Sequence, residues 1–314
     1  MTWSSVEVGA LARAVSHAPS VHNSQPWVLQ TRPGGADLYE RLHVSLPRHD
    51  PAGRDRGISC GAALTNLELA TRTLGWQPEA TLLPDPDRRP DLVAAVEVSE
   101  RHEATAAETE LYAAIFRRHS YRAPFSLHRV AAPILALIAA GTATPGTEAR
   151  LVHGTTQAMT LAELLGYAGR VLRGDRAYQR ELQAWSAQFH QPPPAVTTLP
   201  WSGLVRADTH LPDTITLTER LEAESLLIIV TTDDTHRDHL RAGAALQRAW
   251  LTAVSHDLAG SVLTQPLQLR EVRAGLIEKL DLAGYPQAIL RLGYPVTATP
   301  AAPRHPALSE RDTT

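Results

Sequence analysis

Residues 60–76 read CGAALTNLELATRTLGW and residues 242–258 read AGAALQRAWLTAVSHDL, so the same opening recurs 182 places along the chain. In the first stretch, apolar residues at 60, 63, 64, 67, 70 and 74 fill one face of a helix. The shared register lays Gly61-Ala62-Ala63-Leu64 on Gly243-Ala244-Ala245-Leu246, Leu69 on Leu251 and Pro84 on Pro266. The same shift lays residues 40–48 on 222–230, read as strand on strand. An Ala- and Leu-rich composition is enough to repeat GAAL by chance, but the matching order of strand, loop, helix, turn and strand favours an internal repeat. Small residues at one end of both helices let two backbones approach closely, and a helix meeting a copy of itself is how many two-fold dimers are built. The expected architecture is a covalent pseudo-dimer.

Around these helices, residues 5–17 read as a helix, and 28–31 and 37–46 as strands joined by the Pro33-Gly34-Gly35 turn. Residues 48–57 read as a polar loop and 92–98 as a strand. Helices follow at 107–119 and 126–140, a strand at 148–153, and one long helical pattern from 159 to 185. A strand at 226–230, a helix at 240–255, a turn around Gly260, a helix near 269–281 and a strand at 287–294 complete the order. This is α+β with antiparallel or mixed central sheets flanked by helices, without the alternation of a doubly wound sheet. No GxGxxG, P-loop or GxSxG string occurs. The Pro-rich segment at about 186–212, which contains Trp201, is too long for a simple connector and reads as a lid or binding loop.

The length of 314 residues suggests two domain-sized units. With 30 Lys+Arg against 33 Asp+Glu, the net charge of −3 offers no field to draw the chain onto nucleic acid or an anionic membrane. One cysteine, Cys60, excludes an internal disulfide framework and a multi-cysteine metal site, and reads as a buried packing thiol. A reduced, cytoplasmic setting is expected, since the N-terminus lacks a signal-peptide pattern and no run of about 18 apolar residues occurs. His236 and His239, three apart with no third ligand in view, read as a solvated helix start, so no metal is expected. Lys279 is the only lysine, so cationic roles fall to arginine.

Two segments carry chemistry. In APSVHNSQPW, residues 18–27, a proline-initiated turn sets out Ser20, His22, Asn23 and Gln25, donors and acceptors without fixed charge that suit the edge of a planar heterocycle. In FRRHSYRAPF, residues 116–125, three arginines and a serine at a helix end can hold a phosphate through charge-assisted bonds. Taken singly, each is equally an ordinary turn or a solvated basic helix terminus.

Together, APSVHNSQPW and RRHSYR resemble the signature strings of the nitroreductase family of FMN-dependent oxidoreductases, PSxxNxQPW and RRSxR or RHSxK; the GAAL helix and the late RLGYP strand add to the likeness. The resemblance covers most of the chain and is weakest over 185–215. In that family FMN lies at a homodimer interface, one subunit supplying the basic knot and the other the PSxxN turn. Here the turn lies only in the first half, residues 1–105, and the knot only in the second, residues 106–314. The resemblance therefore implies a nitroreductase-like fold fused into one chain, as in the Acg-like subgroup, with one complete FMN site, one degenerate site and a lid. A monomer or weak homodimer follows.

By that resemblance Arg118 and Ser120 hold the FMN phosphate, His119 lies near the ribityl chain or ring edge, and Arg122 sits by N1 and the C2 carbonyl. Pro19, Ser20 and Asn23 touch the ring and ribityl chain, with Gln25 behind them. A backbone N–H from the Leu258-Ala259-Gly260-Ser261 turn approaches N5, where glycine permits close contact. Arg304 is the expected further phosphate ligand, with Arg291 as the weaker candidate, so that arginines 117, 118, 122 and 304 face one phosphate. His22 replaces a small residue and either narrows the pocket, possible catalytic contact included, or is a plain surface histidine. The implied activity is NAD(P)H-driven two-electron reduction of a small-molecule acceptor, a nitroaromatic, quinone or enone, in ping-pong order. The alternative is a flavin-sequestering protein with a lid over the ring.

Overall fold

Helices α2 (Arg54–Thr73) and α8 (His236–Ser255) begin and end 182 residues apart and pack against each other at the centre of the core. In the computed structural model, which describes residues 1–188, 205–297, 304, 307 and 308, this approach depends on glycine. A Cβ on Gly61 would lie 1.9 Å from the carbonyl oxygen of Leu240, and one on Gly243 would lie 1.9 Å from that of Ile58. The two contacts are reciprocal in the 182-residue register. Polar side chains there bond across the contact: Thr65 Oγ1 donates to the Ala244 carbonyl at 3.2 Å and Gln247 Nε2 to Asn66 Oδ1 at 2.7 Å.

Each half carries a four-stranded sheet. Strands β1 (Trp27–Arg32), β2 (Gly35–Glu40), β3 (Trp76–Leu82) and β4 (Leu92–Arg101) lie in the order β1-β2-β4-β3. Strands β5 (Thr147–Leu151), β6 (Ser225–Thr231), β7 (Ala259–Leu263) and β8 (Tyr285–Gly293) repeat that order as β5-β6-β8-β7. All neighbours are antiparallel. The strand pairing of the repeat needs correction, because β2 stops at Glu40 and residues 41–48 turn instead. The Val44 N–H donates to the Arg41 carbonyl at 3.0 Å and the Asp50 N–H to the Leu46 carbonyl at 2.7 Å. The loop from strand to helix runs over residues 41–53 in the first half but only 232–235 in the second, so a fixed shift aligns helices and not strands.

The second sheet is covered on both faces, which explains the unbroken Leu-Leu-Ile-Ile-Val of β6. Leu227 and Ile229 join the core of α2 and α8, while Leu226, Ile228 and Val230 face a second core built by α5 (Gly154–Gly174), α7 (Thr214–Ala223) and α9 (Arg270–Leu280). The first sheet has one wet face, where Arg32 pairs with Asp37 and Glu97.

Helices α1 (Ser5–Ser16), α3 (Ala106–Arg117), α4 (Ala132–Ala140) and α6 (Arg176–Gln188) complete the set among the described residues. The continuous helix expected over 159–185 is two, because Asp175 stops α5 and its carboxylate accepts the N–H groups of Ala177 and Tyr178 at 2.9 and 3.0 Å to start α6. Helix α4 starts at Ala132, with Pro133 in its first turn, later than expected. Helix α2 starts early, within the expected loop, because Asp50 accepts the N–H groups of Asp55 and Arg56 at 3.1 and 2.9 Å. Of the expected lid, residues 189–204 lie outside the described residues, while Val205 is buried and its N–H reaches Gln265 Oε1 at 3.2 Å. No described helix is long and apolar enough to cross a membrane.

Candidate functional site

A cleft of about 920 Å³ opens between α2, α8 and β7, walled by the turn after α1 and by the segment after α3. Its lining takes Pro19, Ser20 and His22 from the first signature string, Ser120 and Arg122 from the second, and Ser261 from β7. The structure thus joins the two strings, about a hundred residues apart, at one cavity.

The turn wall is strained. His22, Asn23 and Gln25 have φ of 51°, 57° and 46°, the left-handed region that side chains other than glycine rarely adopt. Local bonds hold it: the Gln25 N–H donates to Ser20 Oγ at 3.0 Å, the Val21 N–H to Ser59 Oγ on α2 at 3.2 Å, and Gln25 is buried behind the turn.

The second wall leaves α3 at Arg118 in extended form and runs beside β7. Ser120 bridges Gly260 in parallel, and the Tyr121 N–H donates to the Gly260 carbonyl at 2.8 Å. A Cβ on Gly260 would lie 2.9 Å from both the Arg291 carbonyl and Trp250 Nε1, so glycine is needed for packing there. The turn expected at 258–261 is the start of a strand: Ala259 is buried beneath it and Ser261 reaches the cleft.

Arg118 is buried and stacks over the Trp250 ring at 4.5 Å, and Trp250 itself lines the cleft. Its Nη2 donates to the His17 carbonyl at 3.1 Å, while Nε and Nη1 have no partner among the described residues. Arg304 lies close by, donating Nη1 to the Ala18 carbonyl at 3.0 Å and to Asn23 Oδ1 at 3.4 Å. Burial, then the charge of Arg304, push the Arg118 guanidinium down to about 9, and burial lowers Arg304 as well. The two desolvated cations lie over the carbonyl end of α1 beside the cleft rather than in its lining, and one of them has two idle donors. Arg122 is open to the cleft, yet the surrounding protein lowers its pKa by desolvation.

Three expected roles change. Arg117 points to solvent and pairs with Glu110. Arg291 is fully buried and committed to Glu224, at 2.6 and 2.5 Å, so it is no phosphate ligand. His119 lies off the cleft lining, with Nδ1 3.0 Å from the Arg117 carbonyl oxygen. His236 and His239 are not a solvated pair either, since they meet Glu40 at 3.1 Å and Asp234 at 3.0 Å. No cluster of three or more potential metal ligands occurs among the described residues. Cys60 is buried, and burial pushes its thiol well up.

His49 and Asp55 also line the cleft, and sequence reading missed both because they fall in the stretch taken as a polar loop. His22 Nε2 and His49 Nδ1 share a hydrogen bond of 3.2 Å, and His49 Nε2 lies 3.5 Å from Asp55 Oδ2. Burial, reinforced by His49, lowers the His22 imidazole well below its ordinary value. Burial raises the Asp55 carboxyl, but the Arg54 guanidinium and bonds from His49 and Thr264 outweigh it and hold the group well below the usual range. Trp250 was missed too; a tryptophan on the apolar face of a helix carries no signal beyond core packing.

No family model matches the chain. It is 32% identical over 298 residues to the provisionally named NAD(P)H nitroreductase Rv3131 of Mycobacterium tuberculosis H37Rv, covering 91% of this chain and 85% of that one. The likewise provisionally named NAD(P)H nitroreductase acg of the same strain is 26% identical over 304 residues, covering 92% and 90%. Among solved structures, the FMN-dependent nitroreductase NfnB from Mycobacterium smegmatis in complex with NADPH aligns at 16% identity and a TM-score of 0.41, over 60% of this chain and 88% of that one. The resemblance carried by the two signature strings is borne out at the level of the whole chain, and this protein belongs to the NAD(P)H nitroreductase family of oxidoreductases.

Proposed function

We propose that the cleft holds one FMN per chain and reduces a small-molecule acceptor, a nitroaromatic, quinone or enone, with electrons from NAD(P)H in ping-pong order. The observation that carries this reading is the buried Arg118, with two idle N–H donors beside Arg304. An unpaired buried guanidinium is costly, and a phosphate monoester offsets that cost with charge-assisted bonds. Ser120 adds a hydroxyl and Arg122 a cation to the lining of the cleft. Pro19 and Ser20 line the opposite wall, while Asn23 accepts from Arg304 and Gln25 lies buried behind the turn. When bound, FMN supplies two-electron transfer by hydride, and the residues of this chain orient it and set the charge around it.

In this reading the two halves, residues 1–105 and 106–314, act as the fused subunits of a dimer, each contributing one wall of a single site. The matching strand orders and the reciprocal glycine contacts of α2 and α8 support that view. A single chain is then sufficient for binding. Titration of the purified protein with FMN, followed by flavin fluorescence, tests the reading: Arg118→Ala weakens FMN about tenfold to a hundredfold, as expected for lost bonds to a charged group. Equal affinity in the variant overturns the phosphate assignment.

A further inference from the structure

We propose that His22, His49 and Asp55 form a proton relay that ends in the cleft, with His22 as the group that protonates the acceptor. The proposal rests on the preceding reading for the identity of the reaction, and on the side-chain geometry for the relay itself. His22 Nε2 is bonded to His49 Nδ1 at 3.2 Å, and His49 Nε2 stands 3.5 Å from Asp55 Oδ2. All three residues line the cavity, and both His49 and Asp55 are almost fully buried.

Each member is held from outside the chain of contacts. Asp55 Oδ1 accepts from Arg54 Nη2 at 3.0 Å and Asp55 Oδ2 from Thr264 Oγ1 at 2.6 Å. The His49 N–H donates to Glu181 Oε1 at 2.8 Å, and the Tyr178 ring stacks on the imidazole at 5.8 Å. Trp185 Nε1 donates to the His22 carbonyl at 3.3 Å, and the His22 backbone is kept at a φ of 51°. Strain retained at a cavity wall marks a position whose geometry is used. His49 sits on the strand-to-helix loop, residues 41–53, that is longer than its counterpart in the other half, so only this half can build the relay.

The ring-to-ring hydrogen bond, together with the 3.5 Å ion-pair contact from His49 Nε2 to Asp55, permits two protonation states. With one extra proton, His49 is a cation paired with Asp55, donates through Nδ1 to His22 Nε2, and leaves the His22 proton on Nδ1, the nitrogen His49 does not engage. Without it, His49 is neutral with its proton on Nε2 toward Asp55, and His22 Nε2–H donates to His49. An acceptor A that takes a hydride equivalent from NAD(P)H by way of the cofactor becomes AH⁻. His22 Nδ1 gives it a proton to form AH₂, His22 Nε2 takes the proton of His49 Nδ1, and solvent later restores one proton to the relay. NAD(P)H is oxidised to NAD(P)⁺ and A is reduced by two electrons, so the exchange balances. The titratable groups facing His22 are His49, Asp55 from α2, Arg122 from the second signature string and Arg206; burial, then His49 and the two arginines, favour its neutral ring, while Asp55 opposes them.

Imidazole nitrogen NMR of the ligand-free protein tests the relay independently of any flavin. One shared proton couples the two rings, so Asp55→Asn and, independently, His49→Gln should each change the His22 imidazole nitrogen signals and their pH dependence; His49→Gln serves where Asp55→Asn does not fold. Rings that titrate independently overturn the relay. With FMN loaded, stopped-flow separates the two half-reactions: His22→Gln slows menadione reduction about a hundredfold relative to flavin reduction by NAD(P)H. An unchanged ratio overturns the assignment of His22 as proton donor, whereas failure of NAD(P)H to reduce the wild-type flavin overturns the proposed activity and leaves the NMR result standing on its own.

Discussion

Gly61 and Gly243, 182 residues apart, are the two points at which the central helices close on each other, each glycine facing a backbone carbonyl of the opposite helix at a distance that leaves no room for a methyl group. Alanine at either position must push α2 and α8 apart. Overpacking of this kind costs about 1–3 kcal/mol, and here the obstacle is backbone rather than a movable side chain. Gly61→Ala and Gly243→Ala should each lower the unfolding free energy read from urea titration by an amount in that range. Because both act on one interface, the double variant should lose less than the sum.

How much of this was legible in the sequence follows from range. The helix repeat was legible because helical periodicity and the GAAL strings are local, and the α+β class followed from element order. The loop of residues 41–53 was not, because Leu42, Val44 and Leu46 alternate like a strand while hydrogen bonds of the chain to itself turn it. Arg118 and Arg304 could be picked out by motif, yet nothing local separates Arg117 from Arg118; one residue of rotation past the end of α3 sends the first to solvent and the second over Trp250. His49 and Asp55 were hidden because their role depends on His22, which lies far from them in sequence.

Arg291 and Glu224 form a buried ion pair behind the cleft wall, and Arg291 Nη1 also donates to the cleft-lining Ser261 Oγ at 3.1 Å. Glu224→Gln removes the carboxylate charge that faces the buried guanidinium and should cost about 3–5 kcal/mol of stability by denaturant unfolding. Any loss of FMN affinity in the folded variant should be small, since Arg291 touches the cleft only through its bond to Ser261 Oγ.

Arg118 titrates near 9 in the folded protein, well below an ordinary arginine. Burial thus costs stability below that value, and the empty fold recovers it as pH rises through 9, where the unfolded chain stays charged. An anion at the site reverses the sign, because it needs the cation. The rise in Tm on adding inorganic phosphate should therefore be larger at pH 8 than at pH 10, and equal increments would count against the site.

Asp55 is held below the usual carboxylate range by Arg54, His49 and Thr264. Its contribution to stability is present above the unfolded carboxyl value of about 4 and is lost as pH falls below it. Asp55→Asn should lower stability at pH 7 and flatten its dependence on pH below about 4, as read from urea unfolding at a series of pH values.

Anaerobic addition of NADPH, and separately NADH, to the FMN-loaded protein tests the central claim most directly. The visible flavin absorbance should belong to one FMN per chain, bleach with at least one of the two nicotinamides, and return when menadione is added. A protein that takes up no FMN, or a bound flavin that neither nicotinamide bleaches, would contradict the account.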